Sequence, residues 1–172
     1  VGTIKSIIIQ DSDAINLLIE GDFRYNNFAT LIRGMIDDFL FVKTTKLIIP
    51  KQFFGFDVQM KSKLTEALFP NLSTPDDFFL SGIISSDLKE TAVVFDIPIL
   101  LFKKYKFKGL HFETDSNNPI YTSFISADQI RIGAVETNDL FLISSPKNKK
   151  NQIRLEGILG TKESNMFEAN FS

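Results

Sequence analysis

Apolar positions in this chain follow two different periods. In residues 26–42, "NNFATLIRGMIDDFLFV", Phe28, Leu31, Ile32, Met35, Ile36, Phe39 and Val42 recur at intervals of three and four. Thr30, Arg33, Gly34, Asp37 and Asp38 occupy the other side. That spacing predicts an amphipathic helix. A shorter helix is expected over 13–20, with Ser12 as N-cap and Gly21 just past its end. A third is expected over 57–69, with Met60, Leu64, Ala67 and Leu68 inward and Pro70 stopping it. "TIKSIIIQ" and "KLIIP" read as short strands between the helices.

From Phe79 onward the period falls to two and the runs are separated by turn formers, the pattern of an antiparallel sheet. Strands are expected over 79–85, 91–97, 100–112, 121–125, 129–135, 140–144, 152–159 and 166–171. "DSNNP" at 115–119, "ETND" at 136–139 and "SPKNKKN" at 145–151 are the expected turns. The fold class that follows is α+β, as one domain over 1–172. Helices in the N-terminal part, about 10–72, would pack on a mostly antiparallel, partly curled sheet, barrel- or sandwich-like, over about 79–171. The tetrads "IDDF" (36–39) and "PDDF" (75–78) echo each other, but their flanks disagree and no internal repeat follows.

Composition narrows the chemistry. With 44% hydrophobic and 23% charged residues in 172, a substantial core is available and wholesale disorder is not expected. Eighteen Phe stand against three Tyr and no Trp, so most rings lack a polar handle and belong in a core. The net charge of −2 argues against a globally basic nucleic-acid binder but leaves room for a local patch. Absence of cysteine excludes disulfides, thiolate nucleophiles and Cys-based zinc sites. No run of 18 apolar residues occurs, so no membrane span is expected and a soluble, cytoplasmic setting is slightly favoured. A chain starting at Val1 also fits a trimmed fragment. Asn71-Leu-Ser73 and Asn170-Phe-Ser172 match the N-glycosylation pattern, which is too common to argue for secretion.

Four stretches carry candidate chemistry. "PDDFFLSGIISSDLKE" (75–90) matches the loose pattern of a metal-dependent nuclease, in which Asp76 and Asp87 would hold a divalent ion and Lys89 would orient water or stabilise developing charge. The flanks favour a solvated hairpin turn at "SSDLKE", and no metal or cofactor is expected. "FKKYKFKGLHF" (102–112) read as one strand places Lys104, Lys106 and Lys108 on one face, a ridge suited to phosphates or nucleic acid. Tyr105 or Phe107 would offer a stacking platform. His111, the only histidine, is read on the lysine side of that strand unless Gly109 marks a bulge. Lys147, Lys149, Lys150 and Arg154 form a second basic cluster that would join the first if the sheet curls.

"FDIPILLF" (95–102) is continuously apolar with a proline inside, which predicts an edge strand presenting Phe95, Ile97, Pro98 and Ile99 to a partner. "KQFFGFDV" (51–58) reads as a loop whose Phe53 and Phe54 either plug the core or expose an adhesive patch. "GILG" (157–160) reads as a strand-ending turn. The expectation is a non-catalytic protein-interaction or assembly module, with a protein partner or a second copy of the chain. The alternative is a nucleic-acid or phosphate-ligand binder, with the nuclease as its catalytic extension.

Overall fold

In the computed structural model, which describes residues 3–26, 52–68, 71–85, 90–118, 120, 122–147, 150–160 and 166–171, about three quarters of the described residues belong to one antiparallel sheet. In chain order the strands are β1 (Lys5–Gln10), β2 (Ile15–Asp22), β3 (Phe53–Met60), β4 (Leu72–Ser73), β5 (Phe78–Ser85), β6 (Glu90–Phe102), β7 (Tyr105–Asp115), β8 (Ser123–Ile132), β9 (Val135–Lys147), β10 (Lys150–Leu159) and β11 (Met166–Phe171). Among the described residues one complete helix, α1 (Ser62–Leu68), lies between β3 and β4, and Tyr25 and Asn26 are also helical. The strand order is β1-β2-β3-β5-β6-β7-β8-β9-β10-β11, and β4 pairs with the end of β6. The path does not close, so β1 and β11 are its two edges among the described residues.

This corrects the α+β expectation: the architecture is all but wholly β. The segment expected as a helix over 13–20 is strand β2, because Ile15, Leu17 and Ile19 alternate with Asn16, Leu18 and Glu20 and pair residue for residue with β3. The presumed capping signal is hairpin chemistry. The Asp11 carboxylate accepts the backbone N–H groups of Asp13 and Ala14 at 2.8 and 3.0 Å, closing the β1–β2 turn. The expected helix over 57–69 splits: Met60 ends β3, and α1 keeps Leu64 half-buried but Ala67 and Leu68 exposed, with Thr65 its buried residue. The helix expected over 28–42 and the strand "KLIIP" lie outside the described residues.

Several boundaries move for one reason, that neighbouring strands supply partners where local turn signals are weak. β8 runs through Ser126-Ala127-Asp128, which had separated two expected strands, and β9 runs through "ETND". The actual turns fall at Lys103-Lys104 and Gly133-Ala134. The stretch expected as one strand over 100–112 is therefore a hairpin.

Register assigns each side chain to a face, since directly opposed residues share one. On β1–β6 the first face carries Ile7, Ile9, Ile15, Leu17, Ile19, Phe54, Phe56, Val58, Leu80, Ile84, Val93, Phe95 and Ile97. The second carries Ser6, Asn16, Glu20, Asp57, Gln59, Ser81, Glu90 and Asp96, with a scatter of exposed apolar residues such as Ile83. The core forms on the first face, where Ile19, Phe23, Phe54, Phe56, Ile84 and Val93 are buried together. Phe23 meets Phe54 edge-on at 5.8 Å and Phe78 meets Phe95 at 5.5 Å. Gly82 is opposite Phe56, and a Cβ there would meet the Phe56 ring and the Ala92 carbonyl at 2.8 and 2.5 Å, so only glycine admits this close approach.

Candidate functional site

The apolar face continues past the core without a break. In register across β7–β11 it presents Leu110 and Phe112, Ile125 and Ala127, Leu140 and Leu142, Ile153 and Leu155, then Ala169 and Phe167. Of these only Ala127 is buried, and the remainder are half-sheltered. The buried core cluster and the side chains packed against it draw on β1, β2, β3, β5, β6 and Phe23 and on no residue of β7–β11. On this face of the five strands Ala127, Ser123, Ser144 and Gly157 are buried, while the larger apolar side chains around them are only half-covered. No sequence window showed this, because each strand contributes only two apolar residues and the row exists only across the ladder.

The opposite face carries acids around an apolar strip of Phe124, Phe141 and Ile143. Opposed pairs place Glu113, Asp115, Glu156 and Glu168 there with Glu20, Asp57, Glu90 and Asp96. His111 lies among them: its Nδ1 is 2.6 Å from Asp96 Oδ1 and its Nε2 is 3.7 Å from Glu113 Oε2. His111 is opposite Asp96, whereas Lys106 and Lys108 are opposite Leu101 and Ile99 on the far side of Gly109, whose φ is 55°. Arg154, from the second basic cluster, is also on the acid-bearing face and pairs with Glu156, and with Glu168 at 3.5 Å.

A transverse line of irregular positions crosses the sheet. Pro98 falls opposite Gly109, Gly109 opposite Asp128 and Asp128 opposite Asp139, and the β9–β10 register shifts between Glu156 and Ile158. Gly109 and Asp139 have φ of 55° and 47°. Pro98 sits where β6 has passed the end of β5 and not yet reached β4, and the β6–β7 pairing skips it between Ile97 and Ile99. Beyond this line the apolar rows move to the alternate positions: Leu100, Phe107, Ile130, Thr137 and Leu159 form one row, and Phe102, Tyr105, Ile132 and Val135 the next. Lys106, Lys108, Gln129, Arg131, Glu136 and Asn138 take the other side there. Arg131 Nη2 holds Glu136 at 2.7 Å; this hydrogen bond, with the charges of Arg131 and Lys108, keeps the Glu136 carboxyl below its ordinary range.

The positions singled out in the sequence are dispersed by this fold. Lys104 is in the β6–β7 turn with Lys103, not on the strand that carries Lys106 and Lys108. Lys147 and Lys150 pair at the far end of β9 and β10, eleven residues along β9 from the position opposite Arg131, or about 36 Å at ~3.3 Å per residue. The two basic clusters do not meet. Lys149, Asp87 and Lys89 lie outside the described residues, and Asp76 is exposed in a bend before β5. Asp77, its neighbour, bonds Lys61 at 2.7 Å and Gln59 at 2.9 Å. Phe95, Ile97, Pro98 and Ile99 lie on a strand paired with β7, not on a sheet edge, and Ile97 is buried. "KQFFGFDV" supplies a strand whose Phe54 is fully buried and whose Phe53 is 47% exposed on the other face.

Among the described residues no group of three or more His, Asp or Glu side chains is placed to hold a metal ion, and no helix is long and apolar enough to cross a membrane. The chain matches no protein-family model, no curated protein and no solved structure.

Proposed function

We propose that this chain is a non-catalytic assembly module whose apolar sheet face, over β7–β11, is covered by a second protein chain, a copy of itself being the simplest partner. The observation that carries the reading is the row from Leu110 and Phe112 to Phe167, apolar in every strand, outside the main buried cluster and, Ala127 excepted, only half-covered. An antiparallel sheet with one apolar and one acid-bearing face is stable when the apolar face is packed and the other is wet. An apolar surface spanning five strands marks an interaction site.

Light scattering coupled to size exclusion, run with a hydrophobic dye, tests this. The chain is expected either to self-associate or, as a monomer, to bind the dye strongly, and Leu142→Glu is expected to weaken whichever behaviour is found at least tenfold. A monomer that binds no dye would mean the face is already covered within the chain, and the proposal would fall.

A further inference from the structure

We infer that the end of the sheet beyond the transverse line docks on an anionic lipid surface. This end is built by two hairpin turns, Lys103-Lys104 and Gly133-Ala134, with the terminus of β10 on one side and β4, whose Leu72 pairs with Phe102 and whose Ser73 bonds Glu66, on the other. Its two apolar rows are contiguous by register across β6–β10, and Phe102, Ile132, Val135 and Leu159 are 39%, 43%, 56% and 49% exposed. Large apolar side chains at a protruding end, rather than on a broad face, are suited to entering a headgroup layer.

Charge selects the surface. Residues 99–108, 129–138 and 158–160 carry five cations, Lys103, Lys104, Lys106, Lys108 and Arg131, against the single acid Glu136, in a chain whose net charge is −2. Lys103 and Lys104 hold their ammonium groups 5.4 and 5.8 Å from the centres of the Phe102 and Tyr105 rings, so cation and ring stand together at the tip. Juxtaposed lysines and apolar rings match the two layers of an anionic membrane, phosphate outside and acyl chain within.

The size of the patch favours a membrane over a protein partner. Five strands at ~4.8 Å by one two-residue step give a patch on the order of 160 Å², well below the roughly 800 Å² per side of a stable protein interface.

Co-flotation with vesicles tests the inference, using phosphatidylcholine alone and phosphatidylcholine with about 30% phosphatidylserine. Binding is expected only to the anionic vesicles and should fall at least tenfold when salt rises from about 0.1 to 0.5 M. Lys103→Glu with Lys104→Glu should abolish it, and Phe102→Ser with Ile132→Ser should reduce it at least fivefold with the circular-dichroism spectrum unchanged. Absence of anionic-vesicle binding, or binding untouched by both pairs of substitutions, would overturn it. Retention on immobilised polyglutamate without vesicle binding would also overturn it and assign the tip to an acidic protein. Neither result bears on dye binding or self-association at the β7–β11 face.

Discussion

Gly109 shows how much one residue decides here. Its φ of 55° lies in the left-handed region, and a Cβ would be driven into the Asp128 carboxylate across the ladder. Gly109→Ala is expected to destabilise the fold by about 2–3 kcal/mol, strain and clash together. Gly133→Ala, at φ 62° with no atom near the added Cβ, is expected to cost only about 1 kcal/mol; urea unfolding of the two variants separates conformational strain from collision. Glu136 is a second residue-scale case. Its folded-state carboxyl titrates below its ordinary range, so its contribution is present above the unfolded pKa and lost as pH falls through the lower folded value. Glu136→Gln should therefore reduce the loss of stability between neutral pH and about pH 3, measured by unfolding at both. If the acid limb is unchanged, the Arg131 pair does not contribute to it. None of this was legible from "ETND", which reads as a turn until Arg131 is placed opposite.

At the level of elements, β2 is the instructive misreading. "SDAINLLIEG" has a cap-like start, a glycine end and apolar residues on both alternations, so its eight central residues do not by themselves separate helix from strand. Pairing with β1 and β3 resolves it: Ile15, Leu17 and Ile19 face the core while Leu18 is 38% exposed on the other side. Leu17→Asp is accordingly expected to cost at least about 2 kcal/mol, and Leu18→Asp to lie within about 0.5 kcal/mol of the parent. Equal penalties in a thermal-melt comparison would return the segment to a helix. The C-terminal strands were far more legible. β5, β10 and β11 fall within two residues of the alternation read from the sequence, because each alternates against a solvated face and ends at strong turn formers. The long hairpin β6–β7 was not, since its turn is two lysines and its proline stands inside a strand.

Across the whole molecule, sequence alone determined the alternation of β5, β10 and β11, the turn at 115–119, that thiol chemistry is absent and that phenylalanine is the dominant aromatic residue. Those properties are local, set by side-chain period and turn propensity within a few residues. Tertiary structure alone decided that the strands form one open sheet, that its apolar face runs on beyond the buried core, and that the two basic clusters lie at opposite ends. It also aligned Pro98, Gly109, Asp128 and Asp139 into one line and brought Phe102, Ile132, Val135 and Leu159 to one tip. Each of these is a relation between residues on different strands, fixed by ladder register; no stretch of sequence records which strand will lie beside it, so the surfaces this chain offers to partners exist only once the ladder has formed.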